Sequence, residues 1–217
     1  MSFKGVITAR CPRCGADFET EIWSFVHGDR SPELREAAAA KELNLLLCPS
    51  CGAPFCAEAS WVYFEPEGGI LAFVFPESQR ADAPRWRRKM REDFAAFKRT
   101  LGEQLPGDIE PEVFFGPDGL AELLDAQDRR AEEREVMEAV ARGLGLSLYR
   151  VRPGFARRQG VPAALPFSAA GARAPTRAGL IAGLEMLLAA NDRLAAYRGY
   201  LAALRAAPEA GLPPGRS

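Results

Sequence analysis

Histidine is almost missing from this chain: His27 is the only one among 217 residues. Acid–base or nucleophilic chemistry built on imidazole therefore has one candidate and no second histidine to support it. No uncharged apolar run reaches the roughly 18 residues a membrane-spanning helix needs, so no span is expected. The opening Met1-Ser2-Phe3-Lys4-Gly5 lacks the apolar stretch of an export signal, and the expectation is a cytoplasmic protein with reduced thiols. An excess of positive charge is missing too. The 28 basic and 29 acidic side chains leave a net charge of −1, so no global basic field draws the chain to nucleic acid or anionic lipid. A βαβ pattern is also lacking, which removes the usual setting of a redox C-x-x-C turn.

What the chain does have is one five-residue pattern twice. Cys11-Pro12-Arg13-Cys14-Gly15 and Cys48-Pro49-Ser50-Cys51-Gly52 each place two thiols two residues apart. Pro12 and Pro49 preset φ for the first corner of a tight turn. Gly15 and Gly52 permit φ > 0 just after the second cysteine, letting backbone N–H groups turn towards the sulfurs. Four thiols are the number a tetrahedral structural zinc takes, at Zn–S distances near 2.3 Å. The spacing thus predicts one structural Zn2+ per chain on Cys11, Cys14, Cys48 and Cys51. Arg10 and Arg13 stand beside the first turn, where they offset thiolate charge. Two disulfides and two separate redox turns are the competing readings. The first conflicts with the missing export signal, the second with the missing βαβ pattern. The 33 residues between Cys14 and Cys48 exceed the usual gap of a simple zinc ribbon, so this insert must itself fold.

Taken in order, residues 3–10 and 18–26 read as strands, the second with alternating Phe18, Thr20, Ile22 and Ser24 against Glu19, Glu21, Trp23 and Phe25. Ser31 and Pro32 begin a helix through Leu34 and Leu43, and an extended run leads into Cys48. Strands at about 55–64 and 70–75 put Trp61, Tyr63, Phe73 and Phe75 in a core. A helix over 84–101 carries Trp86, Met90, Phe94, Phe97 and Leu101 on one face and Arg85, Arg87, Arg88, Lys89 and Arg91 at its start. Residues 112–115 suggest a short strand, and two helices follow, one from Leu120 and one over 128–143. Between 151 and 176 prolines, glycines and arginines interrupt every pattern, which reads as a linker. The final stretch, 177–207, reads as one amphipathic helix in which Leu180, Leu187, Leu194 and Leu201 fall seven apart, a spacing that suits either a homodimer through 180–204 or packing back onto its own domain. The tail beyond it is expected to fray.

With both turns placed, the chain resembles the CpXC family, a bacterial and archaeal domain named for two C-P-x-C motifs. Glu21-Ile22-Trp23 after the first motif, the Pro32-Glu33-Leu34 helix start, the aromatic strand pair and the stretch 114–124 add to the likeness, over roughly residues 5–145. The resemblance implies the four cysteines as metal ligands and carries no biochemical role. The expected fold is α+β: a zinc-ribbon-like antiparallel β core with an inserted helix, then helices and a separate C-terminal helix. The expected domains are a zinc-binding domain over 1–150, with ribbon and strands to about 78 and a helical half over 84–145. The linker over 151–176 and the helix over 177–207 complete the chain.

Three functions compete. A non-enzymatic zinc-stabilised module that binds a protein partner leads, because four thiolates leave zinc no open position for a substrate. A nucleic-acid-binding ribbon would use the basic start of helix 84–101 and the arginines of the linker. An enzyme would need Cys56 and His27 as a nucleophile–base pair, and nothing in the sequence puts them together.

Overall fold

The structure, a computed structural model, describes residues 1–101, 109–169, 175–207 and 211–215, without the side chains of Phe97 and Leu101. The elements in chain order are β1 (Phe3–Arg10), β2 (Asp17–His27), α1 (Pro32–Ala39), β3 (Leu45–Leu47), β4 (Pro54–Cys56), β5 (Trp61–Glu65), β6 (Ile70–Phe75), α2 (Ala83–Leu101), β7 (Pro111–Phe115), α3 (Asp118–Gly143), β8 (Ser147–Arg150), α4 (Pro153–Gln159), β9 (Ala164–Phe167), α5 (Arg177–Ala190) and α6 (Ala195–Ala206). The chain divides into two compact units, Met1–Asp125 and Ala126–Ser217, with the boundary inside α3.

The first unit is built on a five-stranded sheet in the order β1-β2-β5-β6-β7, with the β3–β4 hairpin apart from it. The class is α+β, as the patterning predicts. The sheet is mixed rather than antiparallel throughout: β2 runs parallel to β5, and β6 parallel to β7. Both parallel pairs join strands separated by helix-containing connections, which bring a chain back in its original direction. β6 is buried along its whole length, as befits an inner strand covered on both faces. One side of the sheet packs Trp61, Tyr63, Ala72 and Val74 with Leu34 of α1 and Leu120 and Leu124 of α3. The other packs Phe64, Phe73 and Phe75 with Trp86, Met90 and Phe94 of α2. Phe97 and Leu101, expected on the same face of α2, have side chains outside the described residues.

The second unit departs from the sequence reading in several ways. The two helices expected after residue 119 are one helix, α3, because the intervening Asp125-Ala126-Gln127-Asp128 contains no breaker. The expected linker is structured over much of its length. Pro153 sits at the first turn of α4, and Gly160 closes that helix at φ +63°, so both residues bound a helix. β8 and β9 then pair antiparallel. Gly171 and Arg173 of that expected linker lie outside the described residues. The single C-terminal helix is two, α5 and α6. Asn191 ends α5 and accepts the Arg193 N–H (3.1 Å), a turn that starts the break, and Glu133 accepts the Ala196 N–H (2.9 Å) at the new helix start. Leu180, Leu187, Leu194 and Leu201 are all buried in this unit's own core with Leu165, Phe167 and Tyr197. The tail, expected to fray, is tied down where it is described: Tyr149 donates to the Pro213 carbonyl, and the Arg152 N–H to that of Pro214.

Candidate metal centre

The two cysteine turns are copies of one another in three dimensions. In the first, the Gly15 N–H donates to the Cys11 carbonyl (2.9 Å) and the Cys11 N–H to the Ala16 carbonyl (2.9 Å). In the second, Gly52 donates to Cys48 (2.8 Å) and Cys48 to Ala53 (3.0 Å). Gly15 and Gly52 take φ +74° and +68°, the left-handed conformation the sequence reserves for them. The first turn joins β1 to β2; the second joins β3 to β4. The insert between them, strand, helix and strand, returns the chain so that the turns face each other.

All four sulfurs lie within 4.8 Å of one another. Cys11 Sγ is 3.8 Å from Cys51 Sγ, and Cys14 Sγ is 3.6 Å from Cys48 Sγ, each pair reaching across from one turn to the other. A regular tetrahedron of sulfurs around zinc at about 2.3 Å has edges of about 3.8 Å, so the donor set fits the ion in number, chemistry and spacing. All four are free thiols, not disulfides. Cys11 and Cys48 are buried, while Cys14 and Cys51 face outward.

The electrostatics suit a site that concentrates negative charge. Burial opposes ionisation of Cys48, but the N–H groups of Cys51 and Ser50, with the thiols of Cys11 and Cys14, bring its pKa down to about 6. Cys14 receives the Ala16 N–H, which favours its thiolate. Its contacts with Cys48, Cys51 and Cys11, together with burial, outweigh that and push it up to about 12. A cation is what lets all four ionise together.

Sequence reading missed Asn44. It stands at φ +62° just before β3, and its side-chain amide stands in for a strand neighbour. The Trp23 N–H donates to Asn44 Oδ1 (2.7 Å), and Asn44 Nδ2 donates to the Trp23 carbonyl (3.0 Å). The segment entering the second turn is thereby tied to β2, which leaves the first. An asparagine between a helix end and a strand, able to adopt αL and to bond backbone, was the available signal. A buried polar group was also missed: Tyr63 donates to Glu65, and Arg35 Nε donates to the same carboxylate (3.0 Å). Burial and the Glu65 charge push the Tyr63 phenol upward.

Cys56 and His27 do not form a pair. Cys56 is exposed on β4 opposite Leu45, in the separate hairpin. His27 ends β2, edge-on to Phe64 at 5.3 Å, and no hydrogen bond joins the two. On α2, Arg85, Arg87, Arg88, Lys89 and Arg91 are exposed as expected, with Arg85 over Trp86 and Lys89 paired to Asp93 (2.9 Å). No helix among the described residues is long and apolar enough to cross a membrane.

The family described as CpXC protein matches residues 9–140, a span that contains both cysteine turns and the whole sheet from β2 to β7. No curated protein and no solved structure matches the chain.

Proposed function

The chain belongs to the CpXC family, and from that premise we propose that its first unit is a non-enzymatic module held together by one zinc ion on Cys11, Cys14, Cys48 and Cys51, with a protein as its partner. The observation that carries the reading is the four-sulfur cluster, with cross-turn edges of 3.6 and 3.8 Å. Zinc bound there supplies structure, since four thiolates fill a tetrahedral shell. The exposed side of the β3–β4 hairpin supports a protein partner: Leu45 and Leu47 are 48% and 69% exposed, opposite Cys56 and Pro54. Apolar side chains left in water beside a rigid turn are what protein contacts use.

Metal analysis of purified protein tests the site. The expected result is one zinc per chain, lost on Cys11→Ser or Cys48→Ser. Protein purified under metal-replete conditions without zinc, or Cys→Ser variants that keep it, would end the reading. For the partner, exchanging Leu45 and Leu47 for Ser should abolish co-purification of the bound protein while zinc content stays at one per chain.

A further inference from the structure

The whole-chain charge of −1 conceals two oppositely charged units. Met1–Asp125 carries 14 Lys and Arg against 21 Asp and Glu, a net −7; Ala126–Ser217 carries 14 against 8, a net +6. All 14 cations of the second unit are arginines. The imbalance sharpens along the chain. After Glu138 there are eleven arginines and only three carboxylate side chains, Glu185, Asp192 and Glu209.

The structure collects several of these arginines on one surface. Arg150 at the end of β8 reaches Glu138 of α3 (2.5 Å), and Arg134 approaches the same carboxylate from one turn earlier (3.9 Å). Arg142 follows Glu138 by four residues, hence on the same face of α3, and is exposed. Arg152 lies two residues after Arg150 with the buried Val151 between them, so in extended chain the two project to the same side, about 7 Å apart. Two guanidinium groups thus meet at one carboxylate, and two more arginines stand close to them in sequence on the same elements or just beyond. Arg152 is steadied by donating to the Gly215 carbonyl (3.1 Å). They stand on α3, at the end of β8 and at the residue that opens α4, positions fixed before any partner arrives, and guanidinium forks match phosphate oxygens bidentately. Val136, the exposed apolar residue nearest in sequence, lies two positions from both Arg134 and Glu138 and so points off this face. The surface offers charge without an apolar side chain to enter lipid.

We propose that the second unit binds the phosphate backbone of nucleic acid through Arg134, Arg142, Arg150 and Arg152. The helix α2 and the zinc centre take no part, and since none of these arginines lies in the first unit, the inference stands or falls apart from the metal reading. Four backbone contacts imply an affinity that falls roughly 50- to 150-fold between 50 and 200 mM salt, the lower figure for single strands and the higher for duplex.

Fluorescence anisotropy on the full chain tests this, with labelled 20-nucleotide single-stranded and 20-base-pair duplex oligonucleotides. The triple variant Arg142→Glu, Arg150→Glu, Arg152→Glu should weaken binding at 50 mM salt at least about tenfold and flatten the salt slope by about 2–3. The milder Arg→Gln triple guards against misfolding and should lose part of the affinity with an unchanged circular dichroism spectrum. Arg87→Glu with Arg88→Glu on α2 should change affinity little. Absence of binding to either oligonucleotide at 50 mM salt overturns the proposal. So does binding that the α2 variant abolishes and the Arg→Glu and Arg→Gln triples leave intact, or capture by phosphatidylserine vesicles without capture of nucleic acid.

Discussion

Asn44 gives the second cysteine turn something no cysteine supplies, a fixed approach. Its two hydrogen bonds to Trp23 satisfy a half-buried N–H and C=O that would otherwise lack partners. Asn44→Gly should therefore cost about 1–3 kcal/mol in urea unfolding, from the unmet backbone groups alone. Asn44→Ala should cost about 1 kcal/mol more, because alanine resists φ +62°. If the two variants prove equal, strain at this position is not a factor. His27 is the other residue with a decided sign. Its Nδ1 is buried and has no hydrogen-bond partner among the described residues. Burial, the N-terminal amine and Arg30 lower its pKa, against a weaker opposing pull from Glu65. The folded state thus takes up this proton less readily than the unfolded chain. The stability from neutral His27 is present above the ordinary value of about 6.5 and lost as pH falls through the depressed folded value. Urea midpoints of the native protein should drop between pH 7.5 and 5. His27→Gln should make that drop smaller, with the neighbouring Asp29, whose own pKa burial raises, unchanged in both proteins. Identical pH profiles for the two proteins would remove His27 as the cause. At this scale the four clustered cysteines were legible, because the chemistry of C-P-x-C-G is local: proline, glycine and two thiols determine the turn without help from the rest of the fold.

Elements were legible where one periodicity ran undisturbed, and misread where punctuation served a different purpose. β6 and α2 match expectation because a continuous apolar, β-prone run and a helical spacing are each properties of one segment. The parallel pairings β2–β5 and β6–β7 depend on how distant segments meet, which no local pattern records. In the expected linker, Pro153 and Gly160 look like interruptions in the sequence and are the two ends of α4. The leucine repeat suits either a second copy or packing within its own chain, a choice that spacing alone leaves open, and those leucines fill the core of their own unit. Two glycines in this unit have opposite predicted effects. A Cβ at Gly183 of α5 would lie 2.6 Å from both Phe167 Cα and the Pro166 carbonyl oxygen, backbone atoms of β9 that cannot swing aside. Gly183→Ala should destabilise the unit by about 1–3 kcal/mol. At Gly199 of α6 a Cβ meets nothing within 4 Å among the described residues, and Gly199→Ala should stabilise by about 0.5–1 kcal/mol through helix propensity. Calorimetry of both variants checks the pair, and a stable Gly183→Ala protein would mean that α5 does not press on β9 as closely as described.

At the scale of the whole molecule, apolar burial is distributed unevenly. The second unit's core includes Leu165, Leu180, Leu184, Leu187 and Tyr197, and each side of the first unit's sheet buries a cluster of its own. Beneath the cysteine turns the buried set among the described residues is Cys11, Cys48 and Ala53, edged by Ala16, Phe18 and Phe55. So small a cluster cannot offset the entropy of ordering two turns and the β3–β4 hairpin. A structural zinc contributes about 10–16 kcal/mol in small zinc peptides, enough to close the gap. On the proposed zinc reading, removal of the ion should therefore act locally. Hydrogen exchange after exhaustive chelation should show lost protection at Cys11–Gly15, at Cys48–Gly52 and across β3 and β4. Amides of β6 and of α5 should keep theirs, since their packing does not involve the sulfurs. The Cys14→Ser variant should give the same map without chelator. Protection that survives at both turns would mean the hairpin stands without metal and that the cysteines are not what orders it. Protection lost throughout α5 as well would mean the second unit draws its stability from the first, contrary to the separate core that its leucines build.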